Sequence, residues 1–382
     1  MQSFFIDGNK FNFEIDNTKK VIKKLKIHSS PKDYELSLIG ESVEKSINKI
    51  ISISQTPVLL IDSNIYKIYG SKIKKKSLLI YKFVAKENKK NINECIKFTT
   101  FLEKNNITKS STVIVVGGGI VQDIGAFSCS IYKIGIKWIY FPTTLLSMTD
   151  SCIGGKTALN YKNIKNLYAL FSSPHKVILN TEFLTTLPKK DVLSGLGESL
   201  KLSIIGGRKS LESFSTNIDK AIQMDRSALT RIILTSLLIK KSVIENDEFE
   251  NNERRSLNYG HSLGNAIEPM SKFYIPHGTA ITIGLLIENK ISLKKFGLSK
   301  DSDKHILDLA KKLLLPRFIK KLSNINLSTV NDYLINDKKA QGKILKIAVP
   351  TKIGYINFCK LNLSQTSTKI INHSVQLLLK EL

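Results

Sequence analysis

The chain has 382 residues, 42% of them hydrophobic, with 58 Lys and Arg against 32 Asp and Glu and a formal net charge of +26. That length allows two domains with sizeable cores, and that apolar fraction argues against extensive disorder. No apolar run reaches the ~20 residues that span a bilayer, and the opening MQSFFIDGNKFNFEID has neither secretory-signal nor transit-peptide character, so the cytoplasm is the expected compartment.

The lysine excess is spread from Lys19 to Lys380 rather than gathered on one segment, so no nucleic-acid partner is expected, although the charge attracts small anions. Cys95, Cys129, Cys152 and Cys359 form no C-x-x-C pair and read as reduced thiols, not as a disulfide framework or a thiolate zinc site.

In chain order, Pro57–Asp62 is a predicted strand that ends in a loop with Asp62 and Asn64. Leu78–Val84 is a second, followed by a polar loop and a helix from about Asn91. Thr112–Val116 is a buried strand running into Gly117-Gly118-Gly119, after which Ile120–Tyr132 continues at helical period. Lys137–Phe141 and Lys176–Leu179 complete the strands, an alternation typical of a parallel sheet covered by helices. Beyond Pro188 the period becomes helical over Asp191–Ile205, Ser210–Met224, Ala228–Glu245, Gly278–Lys294 and His305–Leu315, with strands only at Ile344–Val349 and Tyr355–Phe358. The expected architecture is α/β followed by α: a Rossmann-like parallel-sheet domain over residues 1–180 and a mainly helical domain over 181–382.

Three groups of residues carry chemistry. Gly117-Gly118-Gly119 follows a strand and opens a helix, so its amides can meet a pyrophosphate. By itself the run is equally a tight strand-to-helix turn, but Asp123 one turn on and Thr143-Thr144 after the next strand favour a nucleotide. Glu198, His261 and His277 offer one carboxylate and two imidazoles, a set suited to catalytic zinc if they meet in space. Lys90, Lys156, Lys165, Lys201, Lys240 and Arg254 stand near glycines, acids or amides. Most lysines of so basic a chain are solvated; Lys156, after Gly154-Gly155, has the clearest phosphate-facing context.

The motifs GGG-x-x-x-D, PTTLL, D-S-x-x-GGKT-x-x-N, K-N, G-L-x-E-x-x-K, R-x-x-x-N-x-G-H-S-x-G and P-H-G occur in this order between about residues 57 and 354. Together they resemble the 3-dehydroquinate synthases, members of the sugar phosphate cyclases. The resemblance implies a dehydroquinate synthase-like fold and metal ligands at Glu198, His261 and His277. It implies NAD contacts at Asp62, Glu87, Lys90, Gly118, Gly119, Asp123, Thr143 and Thr144, with Lys156 and Lys165 close to the cofactor as well. Substrate and catalytic positions fall on Asp150, Lys156, Lys165, Asn166, Lys201, Lys240, Glu250, Arg254 and Asn258, and a further lysine on Lys338 or Lys339. The implied reaction turns 3-deoxy-D-arabino-heptulosonate 7-phosphate into 3-dehydroquinate and phosphate in the shikimate pathway of aromatic amino acid biosynthesis. It uses NAD and Zn2+ or Co2+ in a homodimer, with no membrane partner.

This sequence departs from the family pattern at three places. Ile134 stands where an arginine is usual, Asn265 where a second histidine is usual, and Thr279 where a glutamate is usual. The first two alter the phosphate end, because Asn265 carries no charge and shuttles no proton. Lys240, Glu250, Arg254 and Asn258, at the carboxylate end, are retained. The alternative is a divergent cyclase that closes another sugar phosphate, such as sedoheptulose 7-phosphate, which has no carboxylate to bind. A polyol dehydrogenase with net redox turnover fits less well, because Glu198-x-x-Lys201 and the GGK loop belong to the cyclases.

Overall fold

The chain opens with a β-hairpin, β1 (Gln2–Ile6) and β2 (Asn9–Phe13). Asp7 and Gly8 form its two-residue turn, both at positive φ (47° and 86°), the combination that matches strand twist. In a computed structural model the described residues are 2–14, 23–29, 33–74, 78–162, 164–335, 340–341 and 344–382. They fall into two compact units. One takes the described residues between 18 and 187; the other takes β1 and β2 together with those from Pro188 to Leu382.

The first unit is built on a seven-stranded sheet ordered β3-β4-β11-β8-β7-β5-β6. Its strands are β3 (Lys24–Ile27), β4 (Tyr34–Leu38), β5 (Pro57–Asp62), β6 (Leu79–Phe83), β7 (Thr112–Gly117), β8 (Lys137–Pro142) and β11 (Lys176–Leu179). All pairings are parallel except β3 with β4. Helices α1 (Val43–Ile53), α2 (Ser63–Tyr69), α3 (Ile92–Lys104) and α4 (Gly119–Ile131) connect them. Val58–Ile61 and Val113–Val116 are wholly buried, as the continuous apolar runs require of central parallel strands. The chain turns from β5 to β6 on one side and returns to β7 on the other. The switch point therefore lies between the C-terminal ends of β5 and β7, where open α/β sheets bind ligands. A separate hairpin, β9 (Lys156–Tyr161) with β10 (Ile164–Phe171), stands outside that sheet.

The second unit is mainly helical: α5 (Lys189–Ile205), α6 (Arg208–Ile222), α7 (Arg226–Ile244), α8 (His261–Met270), α9 (His277–Lys295), α10 (Lys300–Lys311), α11 (Pro316–Ser323), α12 (Val330–Ile335) and α13 (Gln365–Glu381). Its sheet has the order β12-β13-β14-β1-β2, with β12 (Ala340–Gln341), β13 (Ile344–Lys352) and β14 (Tyr355–Asn362). The expected division near residue 181 thus differs in two respects. The second unit begins at Pro188, and the N-terminal hairpin belongs to it, because β1 pairs parallel to β14 (Phe5 opposite Tyr355). Phe4, Ile6, Phe11 and Phe13 are buried there. No described helix is long and apolar enough to cross a membrane.

Candidate active site

In the first unit, three adjacent parallel strands bring Asp62, Gly118 and Thr143 to one edge of the sheet. Gly118 is the N-cap residue of α4 and supplies no side-chain cap, so the first amides of the helix have no side chain of that residue to satisfy them. A Cβ on Gly118 would come within 2.9 Å of Thr144, whereas one on Gly119 would meet nothing nearer than Ser151 Oγ at 3.9 Å. Uncapped amides under open space suit a phosphate group. Thr143 is buried, and Thr144 Oγ1 lies 2.9 Å from Ser147 Oγ. Asp62 caps α2 by accepting the Asn64 amide (2.7 Å), and burial pushes its pKa up.

Asp123, Lys90, Asn166, Glu87 and Lys165 gather in one network. Lys90 Nζ is 2.7 Å from Asp123 Oδ2 and donates to Asn166 Oδ1 at 2.8 Å. Asp123 Oδ1 accepts from Thr157 Oγ1 and the Ala158 amide, both at 3.1 Å, which ties α4 to β9. Burial raises the pKa of Asp123 in spite of Lys90. Asn160 links the rest, donating to Glu87 Oε1 (2.8 Å) and accepting the Asn166 amide (3.0 Å), with Lys165 Nζ 3.6 Å from Glu87. Asn166 sits at φ 54°, a conformation asparagine adopts more readily than most residues. Asp150 lies in the π-helical turn Ser147–Ser151, and Lys156 opens β9 after Gly154 and Gly155, both at positive φ. Lys133, which precedes Ile134 in the chain, donates to the Ile107 carbonyl at 2.8 Å, and Ile134 itself is 92% exposed.

In the second unit, one ligand atom each of Glu198, His261 and His277 lies within 4.8 Å of the others. Glu198 is on α5 and fully buried; His261 and His277 are the first residues of α8 and α9. Both Nε2 atoms face Glu198 Oε1, at 3.5 Å from His261 and 3.4 Å from His277, and Lys201 Nζ is 2.7 Å from Oε2. Neither carboxylate oxygen has a well-aligned hydrogen bond. Burial would raise the pKa of Glu198, but Lys201 and the imidazoles hold it well below the usual range. Burial opposes charge on His277 too, yet Glu198 and Glu268 push its pKa up to about 9. A buried carboxylate with two imidazole nitrogens turned toward it matches the donor set of a divalent metal, which binds the imidazoles in their neutral form. His277 Nδ1 is 3.1 Å from Glu268 Oε2, a contact that fixes the tautomer presenting Nε2.

Main-chain contact fixes this cluster. A Cβ on Gly278 would fall 1.9 Å from the Ser194 carbonyl, and one on Gly197 would fall 2.6 Å from the Gly278 carbonyl. Helices α5 and α9 therefore touch backbone to backbone beside Glu198 and His277. Between α8 and α9, a Cβ on Gly284 would fall 2.1 Å from the Gly260 carbonyl.

The segment between α7 and α8 carries Glu250, Arg254 and Asn258. Asp247 shapes it by accepting three amides, those of Asn251 (2.9 Å), Asn252 (2.8 Å) and Arg254 (2.9 Å). Arg254 is buried and donates to the Glu248 carbonyl; Asn258 Nδ2 donates to Glu250 Oε1 at 2.6 Å. Lys240 is buried on α7. Asn265 is exposed on α8 and Thr279 buried on α9. Lys338 and Lys339 lie outside the described residues. Glu268 and Asp247 are not among the residues expected from sequence. Glu268 falls seven residues after His261, on the same helical face, but nothing in that spacing says that it reaches His277.

Comparison with known proteins identifies the family. Residues 80–194 match the family 3-dehydroquinate synthase N-terminal, and residues 195–340 match 3-dehydroquinate synthase C-terminal. The 3-dehydroquinate synthase of Pelagibacter ubique is 36% identical over 346 residues, covering 87% of this chain and 93% of that one. A 2-deoxy-scyllo-inosose synthase, solved with carbaglucose-6-phosphate, NAD+ and Co2+, superposes with a TM-score of 0.79 at 22% identity, over 92% of this chain and 99% of that one. The 2-epi-5-epi-valiolone synthase of Streptomyces hygroscopicus, with NAD+ and Zn2+ bound, gives 0.79 at 18% identity, over 97% of this chain and 100% of that one. The last two are similar in fold. Two family regions in sequence order, and a relative this similar over almost its whole length, make this chain an enzyme of the 3-dehydroquinate synthase family.

Proposed function

We propose that the protein is a 3-dehydroquinate synthase of the shikimate pathway, a lyase that converts 3-deoxy-D-arabino-heptulosonate 7-phosphate into 3-dehydroquinate and phosphate. The observation that carries this reading is the convergence of Glu198, His261 and His277 beside Lys201, in a chain that also retains Arg254 and Asn258. The sheet unit is the NAD-binding domain, through Gly118, Gly119, Thr143, Thr144 and Asp62. The helical unit holds the metal and the carboxylate end of the substrate. When bound, NAD+ takes up and returns a hydride, and Zn2+ or Co2+ on Glu198, His261 and His277 polarises the hydroxyls around the oxidised carbon.

The chain's own groups do the rest. Lys201 keeps Glu198 ionised and supplies positive charge where oxygen becomes anionic. Arg254 and Lys240, both buried, take the substrate carboxylate, and a guanidinium whose loop Asp247 fixes has little freedom to lose on binding. Asn258 has its amide nitrogen committed to Glu250, which leaves its oxygen to accept from a substrate hydroxyl. The phosphate leaves by elimination after the adjacent carbon is oxidised, and Lys156, Lys165, Asn166 and Asp150 order that end. Asp123 and Lys90 support it as a pair joining α4 to the hairpin that bears those lysines.

Assembly as a homodimer is supported by β10, which exposes Ile164, Leu167, Tyr168 and Phe171 on a hairpin with no further strand among the described residues. Buried thiols at Cys95, Cys129 and Cys152 suit the cytoplasm. The test is phosphate release from the pure heptulosonate with NAD+ and Zn2+ or Co2+, before and after chelation. Release that chelation stops is expected. No release with either metal, together with turnover of sedoheptulose 7-phosphate, would transfer the assignment to another cyclase.

A further inference from the structure

Glu288 is a fully buried carboxylate outside the set assigned above to metal or substrate. It lies on α9, eleven residues after His277, and turns toward the start of α8. Its Oε2 accepts the Gly260 amide at 2.6 Å, and its Oε1 faces the Leu263 amide at 3.4 Å. Gly260 immediately precedes His261 and is held at φ 79°, where only glycine rests without strain. Next to Glu288, Asn289 accepts the hydroxyl of Tyr259. The Tyr259 carbonyl in turn lies 3.3 Å from His261 Nδ1. The two residues that precede His261 are thus fixed from α9, Gly260 through its amide and Tyr259 through its hydroxyl. A negative charge at the N-terminus of α8 also complements the helix dipole.

We infer that Glu288 is a positioning residue for the metal centre, holding the Tyr259–Gly260–His261 turn so that His261 Nε2 faces Glu198. Glu268 on α8 orients His277 of α9, and Glu288 on α9 orients His261 of α8, so each helix carries the carboxylate that sets the other's imidazole. Glutamine at this position keeps the volume but replaces one acceptor oxygen with a donor facing an amide, and it removes the charge.

The inference rests on His261 and His277 being metal ligands, so His277→Ala serves as the control. The experiment compares folded Glu288→Gln with the unaltered full chain. Zn2+ affinity is read by competition with a chromophoric chelator, and the ligand field by the visible spectrum of the Co2+-loaded protein. Affinity is expected to fall on the order of 10–100-fold, as when support behind a metal-bound histidine is lost, and the Co2+ bands are expected to move. Unchanged affinity and an unchanged spectrum in a folded Glu288→Gln protein would overturn the inference, whatever happens to thermal stability. If that variant does not fold, Tyr259→Phe tests the same bracing from its other side, by several-fold weaker Zn2+ binding and a shifted spectrum. Wild-type behaviour of Tyr259→Phe would then reject the idea. Metal retained by His277→Ala would instead sink the ligand assignment itself.

Discussion

The two charged clusters of this molecule are built in opposite ways. Around Asp123, cation and anion have found each other: Lys90, Thr157 and the Ala158 amide bind the carboxylate, and Lys90 also reaches Asn166. Around Glu198, the carboxylate has Lys201 and two imidazoles for neighbours but no well-aligned hydrogen bond. A hydrogen-bonded ion pair braces the chain, whereas a buried carboxylate on which two imidazoles converge without a well-aligned hydrogen bond is a place for a cation. In the sheet unit the element we propose for the cofactor phosphates is the uncapped backbone of Gly118 and Gly119.

The largest expected effect separates the two clusters outright. Glu198→Gln should weaken metal binding by at least ~100-fold and remove most turnover, with the fold intact by circular dichroism. Full metal occupancy in that variant would erase the contrast. Asp123→Asn should do the reverse, costing about 3 kcal/mol of stability in denaturant titration because the nearly buried Lys90–Asp123 ion pair is broken, with metal content unchanged. Loss of metal without loss of stability would show that the paired cluster is a site after all. A smaller effect is expected at Gly119→Ala. There is room for the methyl group, so stability should stay within about 0.5 kcal/mol, but NAD+ should bind about tenfold more weakly, ~1.4 kcal/mol, in a fluorescence titration. Unaltered NAD+ affinity would remove the backbone from the cofactor site. The smallest change is expected when Ile134→Arg and Asn265→His are combined, a lower KM for the heptulosonate worth about 1 kcal/mol or less. An unchanged KM would mean the phosphate end is already complete.

Sequence alone located the sheet unit well, because each buried parallel strand is a short apolar run closed by polar residues. Pro57–Asp62 and Lys176–Leu179 are strands with the expected limits. The N-terminal hairpin was not among the expected elements, although Phe4, Ile6, Phe11 and Phe13 alternate on either side of Asp7-Gly8. Its partner β14, however, lies some 350 residues away, and no local pattern announces such a pairing. Helix α8 escapes periodicity because Gly260, Gly264 and Pro269 read as breakers. The glycines are there for close contact with α9. At the metal cluster the residue types were readable, but the second carboxylates were not. Glu268 and Glu288 look like any helical glutamates until the crossing of α8 and α9 puts each one against the other helix.

Those glycine contacts have a further consequence. Glu198 and His277 are set by α5 and α9 touching at Gly197 and Gly278, and the spacing of two backbones does not depend on which side chains surround them. A chain can therefore carry an excess of lysine, as this one does, without displacing Glu198 from His277. The freedom to drift in composition is granted by a few positions that cannot accept even a methyl group.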